Sequence, residues 1–232
     1  PPVMIVDTPL ENSAHTLEAV NIEVNGSIVE ENLQNYTVTL AAVSTPDTAV
    51  VTQQFDTFPP DSVLSLVTLA AINDGNYILQ VTAVDKVGLT GSQSRLVIID
   101  NIDPVVDLAI PLDSTYITGP LLITGSVWDQ NISQYEVALA QGDTTTSADF
   151  SNLSFGVDNK NSDTLYDWQQ LPVDGSYTLR LLAKDIADNE ATAYRRIIID
   201  TLPPEQPVLD SVLLDKATAT ITATWRAISD TD

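Results

Sequence analysis

Apolar and polar residues alternate with a period of two along much of the chain. Within residues 77–83, and again within 177–183, every second residue is apolar. Such alternation predicts β-strands that turn one face toward a core. Other short runs rich in β-branched residues are separated by Asp-Gly, Pro-Pro and Thr-Gly pairs, which are typical of turns. No segment keeps a helical period with caps at both ends, so an all-β fold is predicted.

A block of about one hundred residues occurs twice in the chain. Residues 74–106 and 174–206 are identical at 11 of 33 positions when aligned at an offset of 100. A second block, residues 26–41, matches residues 125–140 at an offset of 99. Because self-similarity at a fixed period is the signature of a tandem repeat, we predict two consecutive copies of one domain.

Two linkers that contain proline, residues 102–104 and 202–204, mark the ends of the copies. We therefore predict a first domain over 1–102, a second over 103–202, and the start of a truncated third domain over 203–232. Each copy holds about seven short strand-like runs, which is the pattern of a β-sandwich.

The phrase DGNYILQVTAVD at 74–85 returns as DGSYTLRLLAKD at 174–185. In both, Asp-Gly predicts a turn, a Tyr follows the Gly by two residues, and a Leu follows the Tyr by two. This resembles the tyrosine corner of immunoglobulin-type sandwiches, in which the Tyr hydroxyl ties strand F to the preceding loop. The other predicted strands are B at 20–29 and 121–128, C at 36–42 and 135–140, and G at 93–100 and 193–200.

The second copy, from ITGSVWD through DGSYTLRLLAKDIADNEA to RIIIDTLPP, resembles the tandem immunoglobulin-like (Ig-like) domains of large bacterial extracellular and cell-surface proteins. The first copy resembles them less closely, and both keep only part of the Asp-x-x-Gly-Asn motif that many members carry after strand F. The tail, with ATITATWRAISDTD, resembles the first two strands of a fibronectin type III-like domain, with Trp225 in its core. The resemblance implies tandem Ig-like sandwiches, an extracellular location, and neighbouring Ig-like domains of the same longer chain as partners. It implies no ligand, because a fold does not determine a function.

The charge balance excludes several classes of partner. The chain has 9 basic and 32 acidic residues, a net charge of −23, and 24 of the acids are Asp. Nucleic acids and anionic membrane surfaces attract Lys and Arg, so neither is expected to bind. The absence of cysteine excludes disulfides and thiolate sites. No apolar run approaches the length of a membrane span, so we expect no membrane insertion.

Catalysis is not expected from this sequence. His15 is the one histidine, and its polar surroundings indicate a surface residue rather than a general base. No nucleophile elbow, phosphate-binding loop or dinucleotide fingerprint is present. The chain is therefore predicted to be non-enzymatic.

Carboxylates gather at the predicted domain junctions. In a sandwich of this type, the B–C and F–G loops lie at the pole where the chain enters, close to the end of the preceding strand G. At the first junction these places hold Asp100, Asp103, Asp129, Asp185 and Asp188. Because Ca²⁺ takes about six to eight oxygen ligands, several of them carboxylates, we predict a calcium site that stiffens the junction. The second junction holds Asp200, Asp230 and Asp232.

The alternative is that these Asp residues only make turns and end strands, as Asp commonly does. The alternation of strand F gives no separate role to Asp185, and this favours the metal hypothesis for it. Two tryptophans, Trp128 and Trp168, are expected in the core, since a large aromatic residue commonly lies between the sheets. Residues 44–61 and 141–163 are predicted to be long polar loops, and they are the regions we nominate for specific binding.

The function favoured by the sequence is structural. The chain is predicted to be a stalk or spacer of an exported or surface-anchored bacterial protein, with an adhesin as one such parent. Two other classes stay open. One is an accessory module of a secreted protease or glycoside hydrolase. The other is an Ig-like module that binds a carbohydrate, a cell-wall component or a host-surface protein.

Overall fold

The computed structural model describes residues 1–58, 62–203 and 206–226. Strands make up most of these residues, and their helical content is two single turns of 3-10 helix, Leu17–Ala19 and Ser147–Asp149. This confirms the all-β prediction. No helix in the described part of the chain has the length and apolar character needed to cross a membrane.

The chain divides into two compact units. The first consists of Pro1–Asp103 together with the short segment Asp185–Asn189. The second consists of Pro104–Lys184 and the chain from Glu190 onward. The boundaries that the sequence predicts for three domains, 1–102, 103–202 and 203–232, remain a prediction.

The first unit has eight strands in two sheets, one more than the number predicted. The strands are β1 (Val3–Thr8), β2 (Ser13–His15), β3 (Asn21–Val29), β4 (Leu33–Ala42), β5 (Ala49–Phe55), β6 (Val63–Thr68), β7 (Gly75–Asp85) and β8 (Thr90–Ile99). One sheet has the order β1-β3-β6 and the other the order β2-β8-β7-β4-β5. The short strand β2 runs parallel to β8, and the other neighbours are antiparallel.

The second unit repeats the same arrangement. Its strands are β9 (Val105–Ile110), β10 (Thr115–Ile117), β11 (Leu121–Trp128), β12 (Ile132–Gln141), β13 (Ser151–Gly156), β14 (Lys160–Trp168), β15 (Gly175–Asp185) and β16 (Glu190–Ile199). The sheets have the orders β9-β11-β14 and β10-β16-β15-β12-β13, which match those of the first unit strand for strand. The predicted strands B, C, F and G are β3, β4, β7 and β8 in the first unit and β11, β12, β15 and β16 in the second.

Each unit has its own hydrophobic core between its two sheets. In the first, Tyr36 is fully buried, stacks on Phe55 with ring centroids 4.9 Å apart, and donates its hydroxyl to the carbonyl of Leu64. In the second, Trp168 from β14 belongs to the core and is 1% exposed, as predicted. Burying one large apolar side chain contributes about 1.5–3 kcal/mol, so the inward-facing residues of the strands stabilise each sandwich.

The tyrosine corner is present in both units. The hydroxyl of Tyr77 donates to the carbonyl of Asn73 at 2.8 Å, and that of Tyr177 donates to the carbonyl of Val173 at 2.8 Å. Each bond joins the strand to the loop that precedes it, which confirms the predicted role of the repeated Asp-Gly-x-Tyr phrase.

Other repeated residues hold the first strand of each sandwich. A Cβ atom on Gly26 would lie 2.1 Å from the carbonyl oxygen of Ile5, and one on Gly125 would lie 2.2 Å from that of Asp107. No side chain fits at either position, because the neighbouring backbone is in the way. Nη2 of Arg95 also donates to the carbonyl of Val6 at 2.6 Å. In the second unit, the matching bond runs from Arg195 to Leu108 at 2.5 Å.

The two predicted loops contain strands, so that part of the loop prediction was wrong. Strand β5 lies within 44–61 and pairs with β4, while β13 and the start of β14 lie within 141–163. Both β5 and β13 lie at the edge of their sheets. Polar residues at half-buried positions, Gln53 in β5 and Ser154 in β13, interrupt the apolar alternation on which the strand prediction depended. Residues 59–61 lie outside the described residues.

Two of the three tryptophans are exposed, and for Trp128 this is contrary to prediction. Trp128 is 57% exposed because it follows the inward-facing Val127 at the end of β11, and alternation turns it outward. Trp225 lies on a hairpin formed by β17 (Val208–Asp215) and β18 (Thr220–Arg226), and it is also exposed. The third domain to which the hairpin was assigned stays a prediction.

Candidate functional site

Asp185 organises the turn between β15 and β16. Its side chain is 1% exposed, and Oδ1 accepts the backbone N–H groups of Ala187 at 2.7 Å and Asn189 at 2.9 Å. Its Oδ2 accepts the side-chain amide of Asn189 at 2.7 Å. A carboxylate that accepts several N–H bonds holds a tight loop in one conformation. The side chain of Asp185 is therefore used by its own hairpin.

The first unit has the same turn-forming carboxylate. Asp85 ends β7, is buried, and accepts the N–H groups of Val87 at 2.9 Å and Leu89 at 2.8 Å. The expectation that the strand gives its closing Asp no separate role was wrong. Periodicity describes which face a residue occupies, whereas this bond depends on the shape of the following turn.

Asp100 follows β8 and is the second buried carboxylate of the first unit, with 5% exposure. Its Oδ1 accepts the N–H of Ile102 at 3.1 Å, and its carbonyl accepts the side-chain amide of Asn189 at 3.1 Å. A carboxylate oxygen of Asp100 and one of Asp185 lie within 4.8 Å of each other. The segment Asp185–Asn189 thus brings a second carboxylate beside the end of β8.

Asp129 is the buried carboxylate of the second unit, with 2% exposure, and it follows β11 directly. Its Oδ1 accepts the N–H of Asn131 at 2.6 Å. The side chain of Asn159 bonds to both the N–H and the carbonyl of Asp129, at 2.9 Å and 2.8 Å. Asp129 lies in the B–C turn, which leads into β12. Strand β15, which ends at Asp185, is the neighbour of β12 in the sheet.

The other two predicted ligands do not join the buried carboxylates. Asp103 and Asp188 are both exposed, and Asp188 has a left-handed backbone with φ of 67°. In the first unit the same turn has Gly88, with φ of 86°. Of the second junction, Asp200 is half-buried, while Asp230 and Asp232 lie outside the described residues.

Three of the four buried carboxylates, those of Asp100, Asp129 and Asp185, have the chemistry that a hard cation requires. Carboxylate and carbonyl oxygens at Asp100 and Asp185 are the donor types that Ca²⁺ prefers. The hydrogen bonds described above reach these carboxylates from neutral amides. Amide donors orient an oxygen ligand without competing for it as a cationic side chain would. The residues therefore fit Ca²⁺, with Asp129 as the third candidate ligand.

His15 contacts a serine of its own short strand. It lies on β2, is half-buried, and its Nε2 is 2.9 Å from Oγ of Ser13. Partial burial lowers the pKa of His15 below its ordinary value of 6.5. The histidine is less exposed than the sequence predicted, because the parallel pairing of β2 with β8 draws it against the sheet.

A second cluster of polar side chains was missed by the sequence. Nε of Arg196 on β16 donates to Oδ1 of Asp143 at 2.7 Å. The backbone N–H of Arg196 donates to Oδ1 of Asp113 at 2.8 Å. The hydrogen bond with Asp143 raises the pKa of Arg196, and the backbone N–H bond lowers the pKa of Asp113. Both Asp143 and Arg196 lie where the two copies differ, which is the signal that could have identified them.

No family model and no curated protein sequence matches the chain. Solved structures that are similar include a tetra-tandem repeat in the extending region of a large adhesion protein, with 18% identity over 97% of this chain and a TM-score of 0.36. The chain spans 62% of the length of that structure. The FN1–FN3 domains of chicken CNTN1 match at 11% identity over 79% of this chain and 62% of theirs, with a TM-score of 0.37. The IG1+IG2 domains of DIP-gamma match at 12% identity over 85% and 96%, with a TM-score of 0.34.

These structures are similar in fold class, that of tandem Ig-like and fibronectin-type sandwiches. All three TM-scores lie below 0.5, so the likeness supports no statement about function. The Ig-like assignment depends on the strand order and the tyrosine corners described above.

Proposed function

We propose that the chain is a non-catalytic spacer in a large exported or surface-anchored bacterial protein, such as an adhesin. The observation that carries the proposal is the repetition of one eight-stranded sandwich, in the same strand order, in two consecutive compact units. Each unit has a separate core, so adding a unit adds length without requiring a new fold. A net charge of −23 also keeps such a chain soluble and separate from its neighbours.

The spacer proposal is tested by reach. A binding domain is fused to the outer end of a spacer and displayed on cells. The spacer is this chain, a duplicated form of it, or an unrelated tandem of β-sandwiches with the same number of units. The distance at which the displayed domain captures a bead-bound target is expected to increase with the number of units, whichever sandwich is used. Capture that requires this chain's own surface, and that the unrelated tandem does not support, would contradict the proposal.

We also propose that Ca²⁺ binds Asp100, Asp129 and Asp185 and stiffens the linker that follows Asp100. The burial of the three carboxylates and the proximity of Asp100 to Asp185 support this. Asp129 is included because the B–C and F–G turns lie at the same end of a sandwich. The ion would neutralise charge at this end and complete its coordination with backbone carbonyls and water.

Differential scanning calorimetry with Ca²⁺, with Mg²⁺ and with chelator tests the metal. A ligand present at about 100 times its dissociation constant stabilises the folded state by about 2.7 kcal/mol. We therefore expect Ca²⁺, and not Mg²⁺, to raise the melting temperature. Asp129→Asn keeps an acceptor for the N–H of Asn131 and is expected to abolish the shift.

Glu30→Gln is the matched control for the calcium experiment. Glu30 stands at the position of Asp129 in the first copy, and its Oε1 accepts the N–H of Asn32 at 2.9 Å. The control is expected to retain the calcium response. A melting temperature that Ca²⁺ leaves unchanged in the unsubstituted chain would remove the metal from the proposal. The spacer function, which the reach assay tests, would be unaffected by that result.

A further inference from the structure

A small pocket lies at one end of the five-stranded sheet of the second unit. It encloses about 200 Å³, and its walls include Ser114, Gly142, Asp143, Ser176, Arg196 and Ile198. The carboxylate of Asp143 and the guanidinium of Arg196 form one side, with Nε and Oδ1 2.7 Å apart. None of these residues belongs to the carboxylate group of the calcium proposal.

The backbone that surrounds this pocket is repeated in the first unit. In both units, the residue before the short parallel strand donates its N–H to a carbonyl of strand G. A residue after strand C donates its N–H to a carbonyl of strand F. The bonds are Ser114 to Arg196 (2.7 Å) and Gly142 to Ser176 (2.7 Å) in the second unit, and Asn12 to Leu96 (2.8 Å) and Val43 to Asn76 (2.9 Å) in the first. The frame is therefore a property of the fold.

The side chains on this frame differ between the units. Leu96 and Ser44 of the first unit stand where the second has Arg196 and Asp143. The ion pair therefore belongs to the second copy alone at these positions. Among the described residues, no hydrogen bond reaches the two terminal nitrogens of Arg196 or Oδ2 of Asp143. Donors and an acceptor thus stand side by side, open to a ligand.

We propose that this pocket binds a neutral sugar ring through the side chains of Asp143 and Arg196. Adjacent sugar hydroxyls each donate and accept a hydrogen bond, and a carboxylate next to a guanidinium offers the complementary acceptor and donors. The hydroxyls of Ser114 and Ser176 add further partners, and Ile198 offers an apolar surface to the C–H groups of the ring. Sites for small ligands commonly combine apolar walls with a few placed polar groups.

The charge of the pocket favours a neutral ligand over an anion or a cation. Asp143 neutralises Arg196, and Asp113 accepts from the backbone of the same residue. A carboxylated ligand would approach two acids on a protein whose net charge is −23, and a cation would meet the guanidinium. The volume corresponds to about seven water molecules at their share of liquid volume. It suits one terminal sugar ring rather than an oligosaccharide.

The experiment is a titration of the complete chain followed by nitrogen-15 and proton chemical shifts. The probes are methyl glucoside, methyl galactoside, methyl mannoside and N-acetylglucosamine, with glucuronate as the anionic comparison. For at least one neutral sugar, we expect saturable shifts at the amides of Gly142, Ser176 and Arg196. The matching amides of Val43, Asn76 and Leu96 act as internal controls and are expected not to move.

Two variants test whether the ion pair recognises the sugar. The double variant Asp143→Ser/Arg196→Leu installs the residues of the first unit on the same frame, so the sandwich is expected to fold. Losing charge-assisted hydrogen bonds is expected to weaken binding at least about tenfold. Arg196→Lys keeps the charge but loses the planar donor group, and it is also expected to bind more weakly. The thermal midpoint of each variant shows whether that variant is folded.

Three results would overturn the proposal. The first is the absence of saturable shifts at these amides with every neutral sugar. The second is binding that survives unchanged in both variants. The third is glucuronate binding more tightly than the neutral sugars, which would indicate an anion site at Arg196. A saturable response that is lost in either folded variant supports the sugar site.

Discussion

Strand F has nearly the same inner face in the two sandwiches and a clearly different outer face. On strand F, the inward positions are Tyr77, Leu79, Val81 and Ala83 in the first unit, and Tyr177, Leu179, Leu181 and Ala183 in the second. The outward positions of the same strands are Ile78, Gln80, Thr82 and Val84 in the first unit, and Thr178, Arg180, Leu182 and Lys184 in the second. The strand order is identical, so the change is in chemistry rather than in architecture.

The inner face changes little because its side chains must fill a closed volume at high packing density. The outer face is free of that constraint and can acquire interactions. In the second unit, Arg180 forms an ion pair with Glu136 and lies over the ring of Phe150, with Cζ 4.4 Å from the ring centroid. Phe150 belongs to the segment between β12 and β13 that also carries Asp143. The difference between the copies therefore identifies the second unit as the more specialised one.

The largest effect is expected from truncating the shared core. Leu79→Ala and Leu179→Ala remove matching, fully buried side chains, and each is expected to cost about 2–5 kcal/mol of unfolding free energy. All three tryptophans follow residue 104, so tryptophan fluorescence reports only on the second unit. Leu179→Ala should shift the fluorescence transition in urea, and Leu79→Ala should leave it in place. Equal shifts would show that the two units unfold as one.

A smaller effect is expected from the repeated arginine that holds the first strand of each sandwich. Arg95→Leu and Arg195→Leu each remove a bond from the guanidinium to a strand carbonyl. We expect each to lose about 1–2 kcal/mol, because the bond is charge-assisted but partly screened by solvent. Hydrogen exchange of β1 or β9 amides measures the loosening. Arg196→Leu, at the exposed next position of the same strand β16, is the control and should leave the exchange of the β9 amides unchanged.

The F–G turn offers a change with the opposite sign. Asp188 has φ of 67°, where the first unit has Gly88. Asp188→Gly is expected to stabilise the second unit by up to about 1 kcal/mol, because glycine has no Cβ to oppose the left-handed conformation. The reverse change, Gly88→Asp, should destabilise the first unit by a similar amount. Urea unfolding of both variants checks the pair, and two changes of the same sign would contradict the explanation.

The smallest effect concerns pH and His15, which stands where the second unit has Ile117. Burial lowers the folded-state pKa of His15 below 6.5, so the unfolded chain binds more protons once the pH falls below about 6.5. The stability of the first unit should therefore decrease as the pH falls from 6.5 toward the range in which the carboxylates titrate. His15→Ile should remove this slope. A slope that persists in thermal melts of the variant would assign it to other groups.

Most of the fold could be predicted from local pattern. Strands B, C, F and G and the tyrosine corners at Tyr77 and Tyr177 follow from alternation and from a turn phrase that occurs twice. The edge strands β5 and β13 were missed, because the polar residues Gln53 and Ser154 interrupt their apolar alternation. Trp128 was placed in the core by its size alone, whereas its position after Val127 decided its exposure.

The candidate sites depended more on tertiary structure. The repeat drew attention to Asp185, but it could not show that Asp85 makes the same turn in the other copy. The sequence nominated the region 141–163 for binding without singling out Asp143. That residue becomes informative only when β16 brings Arg196 to 2.7 Å from it. Residues 53 positions apart in the chain meet through the order of strands in a sheet, which no local pattern encodes.

By itself, the sequence determined the all-β class, the duplication and the faces of the principal strands. These follow from a period of two and from turn residues, whose effects act over a few neighbouring residues. Tertiary structure alone decided which carboxylates are buried and which basic and acidic groups meet. The burial of a carboxylate and the pairing of two charged groups depend on elements distant in the chain. Some of these elements are strands that their own sequences do not predict. The shared sandwich fold can therefore be predicted from the sequence. The side-chain contacts that distinguish the second unit can be identified only in the folded structure.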